Sequence, residues 1–383
     1  MRPPIDPDTL AEAIGALVRT PSVNPALDHD SGTGEEAVAA VARDWLTARG
    51  VRAWLEPVAP GRANAVAEVG LGGGRTLVLC AHLDTVGVAG MAAPFTPELR
   101  DGRLYGRGAY DMKGSAGAIL VAMAALAEDP PPGRVLAALV ADEEHASLGA
   151  QAFVAAHPAD ACILTEPSEG DLVLAHKGFA WFEVTVRGQA AHGSRFDLGR
   201  SAIAGAARFV TAVDEHDTDV LRGRRGELVG PASQHVAMIE GGSGWSTYAD
   251  RCVVRIERRT IPGESAEDVR GELETLAAQA GVEAEIELVL ERPPLVCDRA
   301  TPIAGAVREA MREVHGREPR ETGVAYWMDA ALFAAAGVPT VDVGPSGGGA
   351  HELVEWVDLR SALDTARILV SAARRFLGAS EAG

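Results

Sequence analysis

Apolar positions at helical spacing run over residues 8–19 behind an acidic start, until Thr20-Pro21-Ser22-Val23-Asn24-Pro25 interrupts them. A second helical pattern covers 35–49 and is closed by Gly50. Beyond it, short runs of almost unbroken apolar residues alternate with longer helical ones. Strands are predicted over 76–81, 135–141 and 161–165, and helices over 112–128 and 148–156. Strands without polar alternation, separated by helices, belong to an α/β sheet covered on both faces. From about Lys177 the texture changes. Residues 181–187 alternate as a half-buried strand, 201–215 are helical, 235–240 and 252–259 are strands, 265–280 a helix and 282–290 a strand. That order, β-α-β-β-α-β, is the split βαβ or ferredoxin-like plan. After Pro293-Pro294 the apolar α/β texture returns, with helices at 304–315 and 329–336, a strand at 340–343 and a terminal helix at 359–377. The pattern therefore predicts an α/β domain in two parts, 1–176 and 293–383, interrupted by an inserted α+β domain at 177–292.

Length and composition agree with two domains. At 383 residues, 47% of them hydrophobic, the chain can bury more than one ordinary core. Its formal charge is 35 − 54 = −19. Nucleic acid and anionic membrane surfaces are disfavoured partners, since both are held by cationic contacts. No run of about 18 apolar residues is present to span a membrane. The opening MRPPIDPDTL lacks the apolar segment of a secretory signal. Cys80, Cys162, Cys252 and Cys297 are scattered, and three of the four lie in apolar β-like runs where buried free thiols usually sit. A reducing cytoplasm is the expected setting.

Chemistry should gather at the C-terminal ends of the α/β strands, where loops converge on one open edge. LVLCAHLD is an apolar strand running into His82-Leu83-Asp84, and period-2 alternation puts His82 and Asp84 on one side. A neutral imidazole can ligate a metal while a nearby carboxylate orients it. Asp111, in GRGAYDMKG, stands between a glycine-rich turn and an apolar helix, where it is either a ligand or an ordinary N-cap. AALVADEEHAS brings a buried strand straight into Asp142-Glu143-Glu144. Such crowded carboxylates are costly without a cation or a shared proton. One can bind metal while its neighbour handles protons. Glu166, in ACILTEPS, and His351, in GPSGGGAHE, complete the series. Two histidines and three carboxylates make a nitrogen-plus-oxygen set suited to Zn²⁺, Co²⁺ or Mn²⁺. With Asp111 shared, each of two ions has three protein ligands and open positions for water and substrate.

These stretches, together with TPSVNP, AHLDTV, DGRLYGRGAYDMKG, AAHGS, ERRTIPGE, GVPTVDVGP and AHELVEWV, cover nearly the whole chain. As a set they resemble the dizinc amidohydrolase family of acetylornithine deacetylase, succinyl-diaminopimelate desuccinylase, aminoacylase and glutamate carboxypeptidase. The resemblance implies a zinc-peptidase-like mixed sheet flanked by helices, with the inserted ferredoxin-like domain acting as lid and dimerisation domain. It implies that His82, Asp111 and Glu166 hold one metal, and that Asp111 bridges to a second held by Glu144 and His351. Glu143 resembles the general base, Asp84 the carboxylate that orients His82, and the Asp111–Met112 peptide a cis bond. His192, in GQAAHGS, matches a histidine that stabilises the oxyanion, often from the partner of a homodimer. Arg259 matches an arginine that binds the substrate carboxylate, with Arg258 the alternative. At 246–250 this chain reads Ser-Thr-Tyr-Ala-Asp where many relatives carry an NxxPD pattern.

The implied activity is hydrolysis of the amide bond of an N-acyl-L-amino acid or short peptide through a water activated by two metals. An acetylornithine deacetylase-like reaction is the first expectation, from TGVAYWMDAALF and the overall length. A dipeptidase, carboxypeptidase or desuccinylase reaction is the alternative. A non-catalytic binding protein on this scaffold would be expected to have lost a ligand or the base, and here all are present. His29, His145, His157, His176, His216, His235 and His315 have no such context and read as surface or structural residues.

Overall fold

The computed structural model describes residues 5–29 and 32–378. The chain divides into two compact units. The first runs to Leu174, resumes over Cys297–Thr322 and resumes again from Met328; the second comprises Ala175–Val296 and Gly323–Trp327.

The first unit is built on a mixed sheet. Its strands follow the spatial order Arg52–Ala59, Arg62–Gly72, Gly133–Val140, Thr76–His82, Ala161–Leu164, Thr340–Asp342, Leu172–His176. The four neighbours from Gly133–Val140 to Thr340–Asp342 are mutually parallel, and the strands flanking them are antiparallel. The parallel strands are the ones whose apolar runs lack alternation, and they are buried along almost their whole length. The helices Pro7–Arg19, Gly114–Glu128 and Leu359–Gly378 pack on one another, and Leu148–Ala156 packs with Ala330–Ala335. Asp6 caps the first helix by accepting from Asp8 and Thr9 N–H groups. Glu98–Arg100, Arg103–Tyr105, Trp356–Asp358 and Gly347–Gly348 form a separate small antiparallel sheet.

The pattern-based expectation lacks the small sheet's strands, the strand Leu172–His176 and one hairpin, and it starts one helix too early. The hairpin Arg52–Ala59/Arg62–Gly72 forms the sheet's outer antiparallel pair, in a stretch where Pro57, Gly70 and Gly72 blur the period-2 signal. The predicted helix at 112–128 regularises only from Gly114. Before it, Asp111 and Met112 have non-helical dihedrals, and the peptide between them is the cis bond that the family resemblance implies. No helix among the described residues is long and apolar enough to cross a membrane.

The second unit is a four-stranded antiparallel sheet in the order Ser233–Gly241, Arg251–Thr260, Gly178–Arg187, Ala284–Arg292. The helices Ala202–Asp219 and Ala266–Gln279 pack on it, and alternate strand residues such as Phe182, Val184, Val254 and Ile256 meet Phe209, Val213 and Leu273. Chain order and sheet order together make the ferredoxin-like arrangement. Ser201 and a Ser265/Asp268 capping box start the two helices. The unit's chain ends lie side by side, with His176 paired to Leu295 and Ala175 to Val296.

Candidate metal centre

Four parallel neighbours discharge their loops on one edge of the first unit's sheet. His82 ends Thr76–His82, Asp142–Glu144 follow Gly133–Val140, Glu166 follows Ala161–Leu164, and the loop bearing His351 follows Thr340–Asp342. Glycine allows the last two loops to fit. A Cβ on Gly344 would lie 2.1 Å from the Glu166 carbonyl oxygen, and one on Gly349 (φ 80°) would lie 1.8 Å from that of Val354. Asp111 enters from the turn before helix Gly114–Glu128.

Side chains converge there. His82 Nε2 lies 3.1 Å from Asp111 Oδ1 and 3.8 Å from Glu166 Oε1. The other carboxylate oxygen of Asp111, Oδ2, lies 3.2 Å from His351 Nε2, which is itself 3.1 Å from Glu144 Oε2. One aspartate thus presents a separate oxygen to each of two histidines. Ligand-type atoms of His82, Asp111 and Glu144 fall within 4.8 Å of one another, and so do those of His82, Glu143 and Glu166. His82 Nδ1 is 3.0 Å from the Asp84 carbonyl oxygen, which can only accept, so the proton sits on Nδ1 and Nε2 is left facing the cluster.

The electrostatics follow from crowding. Burial pushes Glu143 and Glu166 well above the usual carboxylate range, with neighbouring acids adding to it. Burial also raises Glu144, against the opposing hydrogen bond from His351. Burial alone would raise Asp111 as well, but hydrogen bonds from His351 and His82 hold it below its ordinary value. His351 is pushed up to about 10 by its hydrogen bonds to Asp111 and Glu144. His82 is driven up by Glu166 and Asp111 against strong desolvation. Carboxylates outnumber imidazoles, and no lysine or arginine side chain joins the cluster among the described residues. Groups that crowd in this way exchange their protons for divalent cations. The donor set is therefore of the right type for two such ions.

A buried polar network, unseen in the local sequence, supports the acidic turn. Asp84, fully buried, accepts from the N–H groups of Glu143 (3.1 Å) and Glu144 (3.1 Å) and from the Asn24 amide (2.8 Å). Its carboxylate Oδ1 is 3.5 Å from His82 Nδ1, so it serves the turn at least as directly as the histidine. Asp142 holds a left-handed backbone (φ 74°), uncommon for a residue with a side chain. Asn24 (3.0 Å) and Arg62 (2.6 Å) both donate to its Oδ1. Arg62 in turn grips Glu35 through Nε at 2.7 Å and through Nη2. His351 also has a left-handed backbone (φ 62°).

The remaining candidates lie in the second unit. His192 is exposed, its Nδ1 2.9 Å from Ser194 Oγ, and it forms an isolated bridge with Thr247. Arg259 is half-buried, ion-paired to Glu257 at 2.8 Å and set over the Phe179 ring. Arg258 is fully buried between Glu264 (2.6 Å) and Glu272 (3.0 Å). The alternation of Cys252, Val254 and Ile256 toward the core carries the even-numbered Arg258 inward and Arg259 outward, a signal available from the strand's period alone.

Known proteins resemble the chain over most of its length. The model of Peptidase family M20/M25/M40 matches residues 78–375. An acetylornithine deacetylase of Myxococcus xanthus is 32% identical over 343 residues, covering 85% of this chain and 87% of the relative. A succinyl-diaminopimelate desuccinylase of Methylococcus capsulatus is 29% identical over 278 residues, covering 69% of this chain and 72% of the relative. Among solved structures, a dinuclear metal-binding M20 peptidase of Bacillus subtilis superposes with a TM-score of 0.74 at 16% identity, over 97% of this chain and 98% of that one.

Proposed function

Given that the chain belongs to peptidase family M20/M25/M40, a family of amide-bond hydrolases, we propose that it cleaves an N-acyl-L-amino acid into a carboxylate and a free amino acid, with N-acetylornithine the first substrate class. The observation that carries the reading is Asp111, whose two oxygens face His82 and His351 separately. On this reading His82, Asp111 and Glu166 hold one divalent ion, and Asp111, Glu144 and His351 a second, with zinc favoured and cobalt or manganese alternatives. When bound, the two ions supply Lewis acidity toward water and toward the scissile carbonyl.

The chain's own residues do the rest. Glu143 sits beside the cluster with a carboxyl that burial makes more basic than usual, which suits it to take a proton from the attacking water. After attack on the acyl carbon, the same group returns that proton to the departing nitrogen as the amide bond breaks. Asp84 holds the Glu143–Glu144 backbone through two N–H bonds and so aims the base. Arg259, the more open of the two arginines, is assigned the substrate carboxylate, since Arg258 is consumed by two buried ion pairs.

His192 is assigned to the oxyanion of a neighbouring copy in a homodimer joined through the second unit. It is exposed, and it belongs to a different unit from every proposed ligand. A C₂ pair is the commonest closed assembly. Four free, buried cysteines suit a cytoplasmic setting.

The test is a hydrolysis screen across N-acetyl and N-succinyl amino acids and dipeptides, with Zn²⁺, Co²⁺ or Mn²⁺ added and metal content measured in parallel. N-acetyl-L-ornithine is expected to be turned over fastest, by protein holding two ions per chain. Preference for a succinyl or dipeptide substrate would move the specificity to that alternative. Two bound ions with no amide hydrolysis at all would end the catalytic reading.

A further inference from the structure

Asp111 and His351 approach the site on different loops, and a single buried side chain ties those loops together. Glu355, four residues beyond His351, is 1% exposed. Its Oε1 accepts the backbone N–H of Tyr110 (2.9 Å) and of Asp111 (3.0 Å). Its Oε2 accepts the N–H of Gly108 (2.9 Å) and the Nη1 of Arg107 (2.7 Å). Four donors on two oxygens saturate the carboxylate. The attachment runs both ways along the chain. The Glu355 carbonyl accepts from Gly106 N–H at 3.1 Å, and Arg107 Nη2 donates to the Glu352 carbonyl at 3.0 Å. Immediately outside these loops, Trp356–Asp358 pairs in register with Arg103–Tyr105, Trp356 opposite Tyr105.

We propose that Glu355 is a positioning residue for the metal centre: it grips the 106–111 turn by its backbone and thereby sets the distance between Asp111 and His351. This rests on the reading of those two residues as ligands. Packing alone does not call for a carboxylate here. An apolar residue of similar volume is usually at least as stabilising as a buried ion pair, so a buried acid whose acceptor sites are directed at one turn is better explained by the turn it shapes. Arg107, in the same turn, completes the device by bonding Glu355 Oε2 beside the Gly108 N–H. Partners of this kind, one step behind the ligands, typically alter metal affinity about 10–100-fold when removed. Glu355→Gln keeps the volume and one acceptor oxygen. It replaces the other acceptor by an NH₂ group that meets two donors in either orientation, Gly108 N–H with Arg107 or the N–H groups of Tyr110 and Asp111.

The experiment is titration of metal-free wild type and E355Q with Co²⁺, read by calorimetry and by the visible d–d absorption of the bound ion, with circular dichroism as the control for folding. Wild type should take two ions per chain. In E355Q at least one Kd should rise tenfold or more and the d–d bands should change in position or intensity, while the metal-free fold is retained. Unchanged constants and an unchanged spectrum in folded E355Q would overturn the proposal. Failure of wild type to bind any Co²⁺ would instead remove the ligand reading beneath it. If E355Q does not fold, Arg107→Gln, which leaves the carboxylate but frees it to move, decides by the same titration. A tenfold weakening supports the role, and wild-type affinity overturns it.

Discussion

Replacing Arg62 by methionine should cost the protein far more than a surface charge would. Arg62 is the only cation hydrogen-bonded to the buried carboxylates of Glu35 and Asp142 among the described residues, at 2.7 Å to Glu35 Oε2 and 2.6 Å to Asp142 Oδ1. Both acid side chains are fully buried, and Arg62 itself is only 8% exposed. Methionine retains the stem's packing, so the loss is electrostatic. Some compensation survives, because Asn24 still donates to Asp142 and the Asp142 N–H to Glu35. Breaking one side of a buried pair typically costs about 3–5 kcal/mol, and two stranded acids put this variant toward the upper end at alkaline pH. The pH dependence has a definite sign. Burial already raises Glu35, and the Arg62 hydrogen bond is the largest influence lowering it. Without that cation the folded-state value rises further above the unfolded one. Over the interval between them the folded state holds a proton that the unfolded chain has released, so stability falls as pH rises. Urea unfolding of metal-free wild type and R62M at pH 5.5 and pH 8 should therefore show the larger deficit at pH 8. A deficit below about 1 kcal/mol, or one equal at both pH values, would refute the argument that Arg62 neutralises this pair.

Glu143→Ala should keep both ions and the fold while kcat falls by about 10²–10⁴-fold; retention of more than a tenth of wild-type kcat would point to a different base. Co-refolding inactive His192→Ala chains with inactive Glu143→Ala chains should restore about a quarter of wild-type activity per site when half the dimers are hybrid. No recovery despite proven exchange would return His192 to its own chain. His176 is buried beside Trp327, with Nδ1 donating to the Lys177 carbonyl, and burial holds it down to about 4. Its neutral form contributes stability that is fully present above about pH 6.5 and is lost between there and about pH 4, in all about 3 kcal/mol. His176→Phe should flatten that part of the stability–pH curve, and parallel curves for the two proteins would count against the assignment.

The ligand-type residues were legible because metal chemistry admits few side chains and the sheet exposes them at strand ends. His82, Glu144 and Glu166 each follow an apolar run that announces its strand, and His351 follows VPTVDVG. What escaped was held together across long separations. Asn24 reaches Asp142 over 118 positions and Arg107 reaches Glu355 over 248, and nothing near any of them marks the partner. Glu35 reads locally as an ordinary acidic helix start, yet its carboxylate is spent on Arg62. Asp84 was legible as a partner of His82, but its hold on the Glu143 and Glu144 backbone depends on a parallel register that only folding supplies. The Arg52–Gly72 hairpin was missed for a different reason: an edge pair rich in alanine and broken by proline and glycine carries little periodic signal.

The side-by-side ends of the second unit bear on how such a chain could have been assembled and diversified. Leaving about 120 residues as a flexible loop between Leu174 and Cys297 would cost on the order of 4 kcal/mol in closure entropy. Once the ferredoxin-like unit folds on its own core, pairing of His176 with Leu295 turns that stretch into the equivalent of a short turn. The Ala175–Val296 stretch then acts on the rest of the chain as a tight connection, beside the Gly323–Trp327 segment that also belongs to the second unit. Exchanging this module for another with the same spacing between its ends should leave the 82–166 and 351 ligand scaffold intact, while whatever the module itself supplies, His192 and Arg259 on the proposed reading, is exchanged with it.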